Sequence, residues 1–301
     1  MKYFTFLIIV LFITSCSSTK KTIKTNTKPI EDVVIVTEVP DVLNAEHEKN
    51  VWTEVEETPI ESKKNDSVED IEIDEDTSFY QEVSKREGYL HDLFTELLQK
   101  HVSKNGNVDY KGFKKSRAQL LAYIGILENT YPKLDSLSKN EKLAYWINTY
   151  NALTIDLILR NYPTKSIKDI KDPWDQRLWK FGDKWLNLND IEHKILRHMN
   201  EPRIHFAIVC ASVSCPKLQN VAFTALNLDA QLIKATKEFL NDTSKNKLSE
   251  DRIQLSKIFK WFKKDFENRD SIIDFLNLYA DIKISSKAKK SFMDYNWNLN
   301  D

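Results

Sequence analysis

The apolar residues in the C-terminal two thirds of the chain recur with the period of an α-helix. Between Glu87 and Val102, and again between Lys114 and Glu128, they stand three and four positions apart, so each segment has one apolar face. This pattern is typical of an amphipathic helix that packs on a core. The Asn105-Gly106 dipeptide between the two predicted helices indicates a turn.

A third predicted helix has the clearest boundaries. The letters SKNE at Ser138–Glu141 fit a capping box, in which the serine and glutamate side chains bond to free backbone N–H groups of the first turn. Pro163 ends the helix. Apolar residues occupy nearly its whole circumference, so we expect it to be buried in the core.

Two asparagines of this helix, Asn148 and Asn151, are then expected inside the protein. A buried amide that lacks partners costs about 1–3 kcal/mol. Each amide must therefore bond either to the backbone of a neighbouring loop or to a ligand, and the sequence leaves both alternatives open.

Shorter elements follow. Residues Trp179–Leu186 predict a hairpin around Gly182-Asp183, and Asn187 or Asn189 is suited to cap the helix that begins there. The run RIHFAIVC, Arg203–Cys210, is almost continuously apolar and predicts a buried strand.

Two further helices are predicted, one capped by Ser256 and one from Ser271 to Ala280. Helical patterns outnumber strand patterns throughout this part of the chain. We therefore expect an α+β fold, in which residues 80–301 form one helix-dominated globular domain with a small sheet.

The first 15 residues indicate an export signal, because Lys2 is followed by a mostly apolar run from Phe4 to Ile13. That run is too short for a permanent membrane span, which needs about 20 apolar residues. The letters ITSC that end at Cys16 resemble the lipobox of bacterial lipoproteins. The resemblance implies cleavage before Cys16, lipidation of that cysteine, and a cell-envelope location facing the periplasm or the exterior. The alternative is an ordinary secreted protein.

Residues 16–79 are polar, increasingly acidic and poor in residues that pack. Such a segment cannot bury enough apolar surface to offset the entropy lost on ordering. We expect a disordered tether between the lipidated N-terminus and the domain.

Composition excludes several classes of function. Lys+Arg 44 nearly balance Asp+Glu 45, so no overall attraction draws the chain to nucleic acid. Only five glycines occur, and no glycine-rich nucleotide loop is present. His193 and His198 would diverge on a helix and cannot share one ion. We expect no metal and no cofactor.

Seven segments resemble the DUF547 family, a domain of unknown function, and occur in the order of that family. They are VDYKGF, LAYWINTYNALTI, YPTKSIKDI, LNLNDIEHKILR, EPRIHFAIVCASVSCPKL, LSKIFKWFKKDF and YNWNLN, spread over Leu90–Asp301. The resemblance implies no activity, because the family has none assigned. Its members include intracellular plant proteins and exported bacterial ones, which argues against a function that requires an oxidised disulfide.

Cys210 and Cys215 permit three interpretations. Pro216 suits the first position of a helix, which would place Cys215 at the N-cap and favour its thiolate. A cysteine hydrolase or acyl transferase, papain-like or transglutaminase-like, would then need His193 or His205 as its base, with Glu192 or an asparagine to orient it. Alternatively the two cysteines form a disulfide, which export permits, or both are reduced packing residues.

Nine polar residues of these segments are expected to converge in one cleft that binds an envelope-derived or peptide-like ligand or a protein partner. The candidates for catalysis are Cys215, His193, His205 and Glu192. The candidates for ligand binding are Asn148, Asn151, Arg197, Arg203 and Cys210. The leading hypothesis is a membrane-anchored binding or scaffold module. The alternative is the cysteine enzyme.

Overall fold

Helix α4 (Lys139–Asn161) runs through the core in the computed structural model, which describes residues 90–268 and 270–301. Of its 23 residues, 18 are buried, so the helix is covered on all sides as predicted. The Ser138 side chain accepts from the Glu141 N–H and Glu141 accepts from the Ser138 N–H, which confirms the capping box.

From residue 90 onward, three helices precede α4, and their apolar faces contribute to one buried cluster with it. They are α1 (residues 90–101), α2 (Tyr110–Lys115) and α3 (Arg117–Thr130), followed by a 3₁₀ turn, Tyr131–Ser136. The predicted helix over residues 114–128 is thus two helices that meet at Ser116. The buried Ser116 hydroxyl bonds to Nε2 of His101 at 2.9 Å, which fixes this corner against α1.

The predicted hairpin is confirmed: β1 (Trp179–Phe181) and β2 (Lys184–Leu186) pair antiparallel. Gly182 turns the chain with φ of 58°, a conformation that favours glycine. Asn187 then starts the next helix, its side chain accepting from the Asp190 N–H at 2.7 Å. This helix is a π-helix over Asp190–Ile195 and a 3₁₀ helix over Leu196–Met199.

The predicted strand over residues 203–210 is wrong, because Pro202–Phe206 form a 3₁₀ helix that Glu201 caps. A strand needs a neighbouring strand to satisfy its backbone. Here the Asn151 amide replaces it, donating to Ala207 O at 2.9 Å and accepting from Val209 N at 3.0 Å. The apolar run reflects burial, which a helical turn shares with a strand.

The remaining elements build a second buried cluster. This part of the chain has four helices and three strands, and the strands form a small sheet of order β3-β4-β5 in which β4 and β5 are parallel. They are α5 (Leu228–Asn241), β3 (Lys247–Leu248), β4 (Arg252–Leu255), α6 (Ile258–Trp261), α7 (Lys263–Phe266), α8 (Ile272–Asn277) and β5 (Lys289–Phe292). The helix predicted after Ser256 is broken at Phe262, and the one capped by Ser271 ends at Asn277. The α+β, helix-dominated fold is confirmed.

A C-terminal segment, residues 295–300, binds two loops at once. It takes backbone hydrogen bonds from the cysteine loop, residues 210–215, in which Val213 N donates to Asn298 O at 2.8 Å. On its other side Leu299 N donates to Lys165 O at 2.8 Å. The segment therefore places its own side chains beside the cysteines.

The signal-peptide, lipidation and tether predictions fall on residues 1–89, outside the described part of the chain. Within residues 90–268 and 270–301, no helix is long and apolar enough to cross a membrane.

Candidate functional site

A pocket of 340 Å³ lies where the π-helix, the cysteine loop, α6 and the C-terminal segment meet. We call it the aromatic pocket, because six of its sixteen lining residues are Tyr, Trp or Phe: Tyr150, Trp174, Trp261, Phe262, Tyr295 and Trp297. Six of the nine predicted polar residues line it: Glu192, His193, Arg197, His205, Cys210 and Cys215.

A larger groove of 740 Å³ opens elsewhere, against Arg203 and α8. Both of its arginines are already neutralised: Arg203 pairs with Glu201 at 2.6 Å and Arg197 with Asp265 at 2.6 Å. We place the candidate site in the smaller aromatic pocket, where a carboxylate without an ion-pair partner faces the cavity.

Glu192 is that carboxylate. Glu192 is only 8% exposed, and the Tyr150 hydroxyl donates to its Oε2 at 3.1 Å. Among the described residues, no Lys, Arg or His lies within ion-pairing distance of it. Burial raises the pKa of Glu192 to about 7, although Tyr150 and the charge of Arg197 act in the opposite direction. Near neutral pH this group can therefore either donate or accept a proton.

The π-helix is what turns Glu192 and His193 toward the pocket. Its first residue, Asp190, is anchored by Arg177 at 2.6 Å and by Lys194 at 2.7 Å. A π-turn inserts one extra residue per turn and so rotates the following side chains relative to an α-helix. Such turns occur frequently at functional sites.

Asp265 organises the polar side of the site. Its carboxylate takes two bonds from Arg197, at 2.6 and 2.7 Å, and one from Nε2 of His205 at 2.8 Å. Burial alone would raise the pKa of Asp265, but the bonds from Arg197 and His205 outweigh it and hold the pKa well below its usual range. The charge of Arg197 is consequently neutralised.

The two histidines are held by other side chains. His193 Nδ1 lies 2.9 Å from Arg197 Nη1, which can only donate, so this nitrogen is the acceptor. His205 stacks on Phe262 with ring centroids 3.9 Å apart and donates to Asp265. Burial lowers the pKa of both histidines, and for His205 Asp265 opposes this. Both rings are therefore neutral at pH 7.

Cys210 and Cys215 are paired as a disulfide, with their Cα atoms 6.3 Å apart. No helix follows Pro216, so Cys215 is not at an N-cap and that part of the nucleophile hypothesis is corrected. The described polar groups around Cys215 Sγ are the Cys210 N–H at 3.0 Å, the Tyr295 hydroxyl at 3.3 Å and the Ser212 hydroxyl at 3.7 Å. Neither histidine bonds to a sulfur.

Four of the aromatic lining residues form a cluster of rings. Trp297 is central to it, with its ring centroid 4.5 Å from that of Tyr295, 5.7 Å from Trp261 and 5.9 Å from Trp174. Trp261 is 46% exposed, so this surface is open to a ligand. A wall of this kind binds apolar groups, and it binds cations through the ring faces.

Residues 134–240 match the family model for DUF547, a protein of unknown function. The match covers α4, the π-helix, the cysteine loop and nearly all of α5. It thus supports the resemblance over the part of the chain that supplies all six of the predicted polar residues in the pocket, including both cysteines. No curated protein and no solved structure matches the chain.

Three of the nine predicted residues, all within the DUF547 match, lie outside the aromatic pocket. Asn148 donates to Phe223 O at 2.7 Å and accepts from Phe223 N at 2.9 Å. Asn151 holds the loop after His205, as described above. Arg203 bonds to Glu201 and to Asp229 rather than to Glu192. The expectation that all nine share one cleft is therefore corrected to six.

Sequence reasoning missed Asp265, Trp261, Tyr295 and Trp297, all beyond the DUF547 match. Asp265 stands as the single carboxylate in the basic, aromatic stretch KWFKKDF, and Tyr295 and Trp297 stand in the non-periodic YNWNLN. Exposed aromatic residues in a segment without periodicity are the signal that could have found them. Within residues 90–268 and 270–301, no group of three or more His, Cys, Asp or Glu is placed to hold a metal ion.

Proposed function

We propose that this protein is a binding module, anchored at the membrane through lipid on Cys16, whose aromatic pocket binds a peptide-like ligand with a basic side chain. The observation that carries the proposal is the buried carboxylate of Glu192, which has no ion-pair partner among the residues that the structure describes and lines the same pocket as the aromatic rings. An ammonium or guanidinium group is the chemistry that both features favour.

The electrostatics of the pocket support a cationic ligand. The charge of Arg197 is balanced by Asp265, and the neighbouring histidines are neutral, so Glu192 sets the sign of the field in the pocket. A ligand cation beside Glu192 favours its ionised form and hence draws its pKa down. Binding should therefore release a proton near neutral pH, and affinity should rise between about pH 5 and pH 8.

The binding hypothesis is preferred to the cysteine hydrolase or acyl transferase because that enzyme needs a base within hydrogen-bond reach of Cys215. His193 and His205, its two candidate bases, are bonded to Arg197 and Asp265 instead.

The test is a titration of the chain with short peptides of the form Ala-Xaa-Ala, followed by tryptophan fluorescence and calorimetry. We expect peptides with Lys or Arg to bind at least about tenfold more tightly than the peptide with Gln, which is a difference of about 1.4 kcal/mol. Glu192→Gln should remove this preference together with the pH dependence of affinity.

Glu96→Gln is the matched control, since Glu96 is an exposed glutamate on α1. It should bind like the wild type. Equal affinity for Lys and Gln peptides, or an unchanged preference in Glu192→Gln, would refute the proposal.

The anchor has a separate test. In cells that process lipoproteins, the wild-type chain should fractionate with membranes and carry lipid on Cys16 by mass spectrometry. Cys16→Ala should appear in the soluble fraction. If it stays with membranes, the lipid anchor is wrong.

A further inference from the structure

We propose that the Cys210–Cys215 disulfide is redox-active: an external dithiol attacks Cys210, and Cys215 leaves as the thiolate. The proposal goes beyond ligand binding and uses none of the ionisable groups on the polar side of the pocket. It rests on the different surroundings of the two sulfurs.

Access differs between the two cysteines. Cys210 is partly exposed at the wall of the aromatic pocket, whereas Cys215 is only 3% exposed. A thiolate must reach one sulfur along the S–S axis to displace the other. We therefore assign the attack to the sulfur of Cys210, the more exposed of the two residues.

The departing charge is stabilised at the other sulfur. The Cys210 N–H donates to Cys215 Sγ at 3.0 Å, and this backbone bond is what distinguishes the two sulfurs. The Tyr295 hydroxyl lies 3.3 Å from both sulfurs, and the Ser212 hydroxyl is nearer to Cys210 Sγ, at 3.0 Å, than to Cys215 Sγ, at 3.7 Å. Hydrogen bonds to a thiolate lower its pKa. A thiol of lower pKa leaves faster in thiol–disulfide exchange, so the backbone N–H at Cys215 favours its departure, with the Tyr295 hydroxyl within reach of the same sulfur.

Backbone hydrogen bonds hold the cysteine loop in place both before and after reduction. Val213 N and Ser214 N donate to Asn298 O and Asn296 O, at 2.8 and 3.1 Å, and Asn300 N donates to Ala211 O at 3.2 Å. These backbone bonds do not depend on the disulfide. The two thiols consequently stay opposite each other after reduction, which favours reoxidation of the pair.

The reaction balances with a dithiol as the reductant. One thiolate of the dithiol bonds to Cys210 Sγ, the S–S bond breaks, and its electron pair goes to Cys215 Sγ. The second thiolate of the dithiol then attacks its own sulfur in the mixed disulfide and releases Cys210. The dithiol is oxidised to a disulfide, and its two protons end on Cys210 and Cys215.

The first experiment uses the chain with Cys16→Ser, so that Cys210 and Cys215 are the only cysteines of the three in the sequence that remain. Glutathione, a monothiol, serves as the probe because it stops at the mixed disulfide. Acid quenching, alkylation and peptide mapping then locate the adduct. We expect glutathione on Cys210 and the alkyl group on Cys215. An adduct on Cys215 would overturn the proposal, and so would a disulfide that is reduced only in denaturant. The proposal would also fail if, after reduction, the oxidant diamide did not re-form the disulfide from the two thiols.

The second experiment measures the rate of reduction by dithiothreitol. Tyr295→Phe removes one of the groups that stabilise the leaving thiolate and should slow reduction about three- to tenfold. Tyr279→Phe, a tyrosine of the larger groove, is the control and should react like the parent chain. An unchanged rate in Tyr295→Phe contradicts the role of Tyr295. Peptide binding can fail without affecting either readout, so the two proposals are tested separately.

Discussion

At the scale of single residues, the buried polar side chains fall into two groups. Asn148 and Asn151 each hold a stretch of backbone through both ends of the amide, so their bonding capacity is used inside the fold. Glu192 is also buried, but its side chain accepts from the Tyr150 hydroxyl and lines the pocket. The first group stabilises the fold, whereas an ionised Glu192 opposes it.

Glu192→Gln should accordingly stabilise the protein at high pH. The pKa of Glu192 is about 7 in the fold against an ordinary value of 4.5, so the unfolded chain loses its proton first and wild-type stability falls as pH rises between these values. We expect the variant to gain about 3 kcal/mol near pH 8 and less than about 1 kcal/mol near pH 5. Urea unfolding at both pH values measures this, with Glu96→Gln as the control. A gain that is equal at the two pH values would contradict the raised pKa.

Asn148→Ala should be strongly destabilising. It leaves the buried N–H and C=O of Phe223 without partners, and each unmet group costs about 1–3 kcal/mol. We expect the free energy of unfolding to fall by about 2–4 kcal/mol in urea titrations. Asn129→Ala, at an exposed site on α3, should change it by less than about 0.5 kcal/mol. A loss below about 1 kcal/mol at Asn148 would show that its bonds are replaced by water.

At the scale of elements, the C-terminal segment joins parts of the chain that are distant in sequence. Its backbone bonds to the cysteine loop and to Lys165, and Asn300 accepts from the Tyr110 hydroxyl at 2.8 Å and from Val108 N at 2.8 Å. Leu299 anchors it in the core with 5% exposure. The segment has no sheet of its own, so its position depends on these contacts.

Leu299→Ala should therefore loosen the cysteine loop as well as destabilise the fold. Truncation of a buried leucine costs about 2–5 kcal/mol. We expect a loss in this range and faster hydrogen exchange at Val213 and Ser214, whose N–H groups bond to the segment. Leu278→Ala, at a residue that is 71% exposed, is the control and should change neither readout. Unchanged exchange at Val213 would mean that the loop is held independently.

Elements with a strong period or a clear cap were predictable from the sequence. The buried helix α4 and its capping box, the hairpin and the start after Asn187 are all as expected. The conformation of the apolar segment after Pro202 was not predictable, because its backbone bonds to the Asn151 side chain of another helix. No local sequence pattern indicates that contact. The break between α2 and α3 depends in the same way on the bond from Ser116 to His101.

At the scale of the whole molecule, the described residues hold two buried apolar clusters, and the aromatic pocket takes residues from both sides. Ile258 and Phe262 come from the second cluster, while Tyr150 and Ile208 belong to the first. The DUF547 match ends at residue 240 and so covers one side of the pocket. Six of the residues named from the segments line one pocket, but Asp265 and Tyr295 could not be assigned because they meet the others only through the tertiary fold.

A fragment that contains only residues 134–240 should therefore fail to fold cooperatively. It lacks α1 to α3, the C-terminal segment and most of the second cluster, so α4 loses much of its cover. Residues 80–301 should show one sharp thermal transition and a near-ultraviolet circular dichroism signal from buried aromatic rings. The fragment should show neither. A cooperative transition in the fragment would mean that the second cluster and the C-terminal segment are dispensable.

The position of Tyr295 and Trp297 so late in the chain ties completion of the pocket to the progress of translation. A growing chain carries Cys210 and Cys215 in an open loop for the whole time that residues 216–294 are being made, because the backbone that pins the loop does not yet exist. During that interval the thiols have no Tyr295 beside them and no fixed partner. A premature stop codon anywhere before position 295 thus yields a product without the pocket, whatever part of its core has folded.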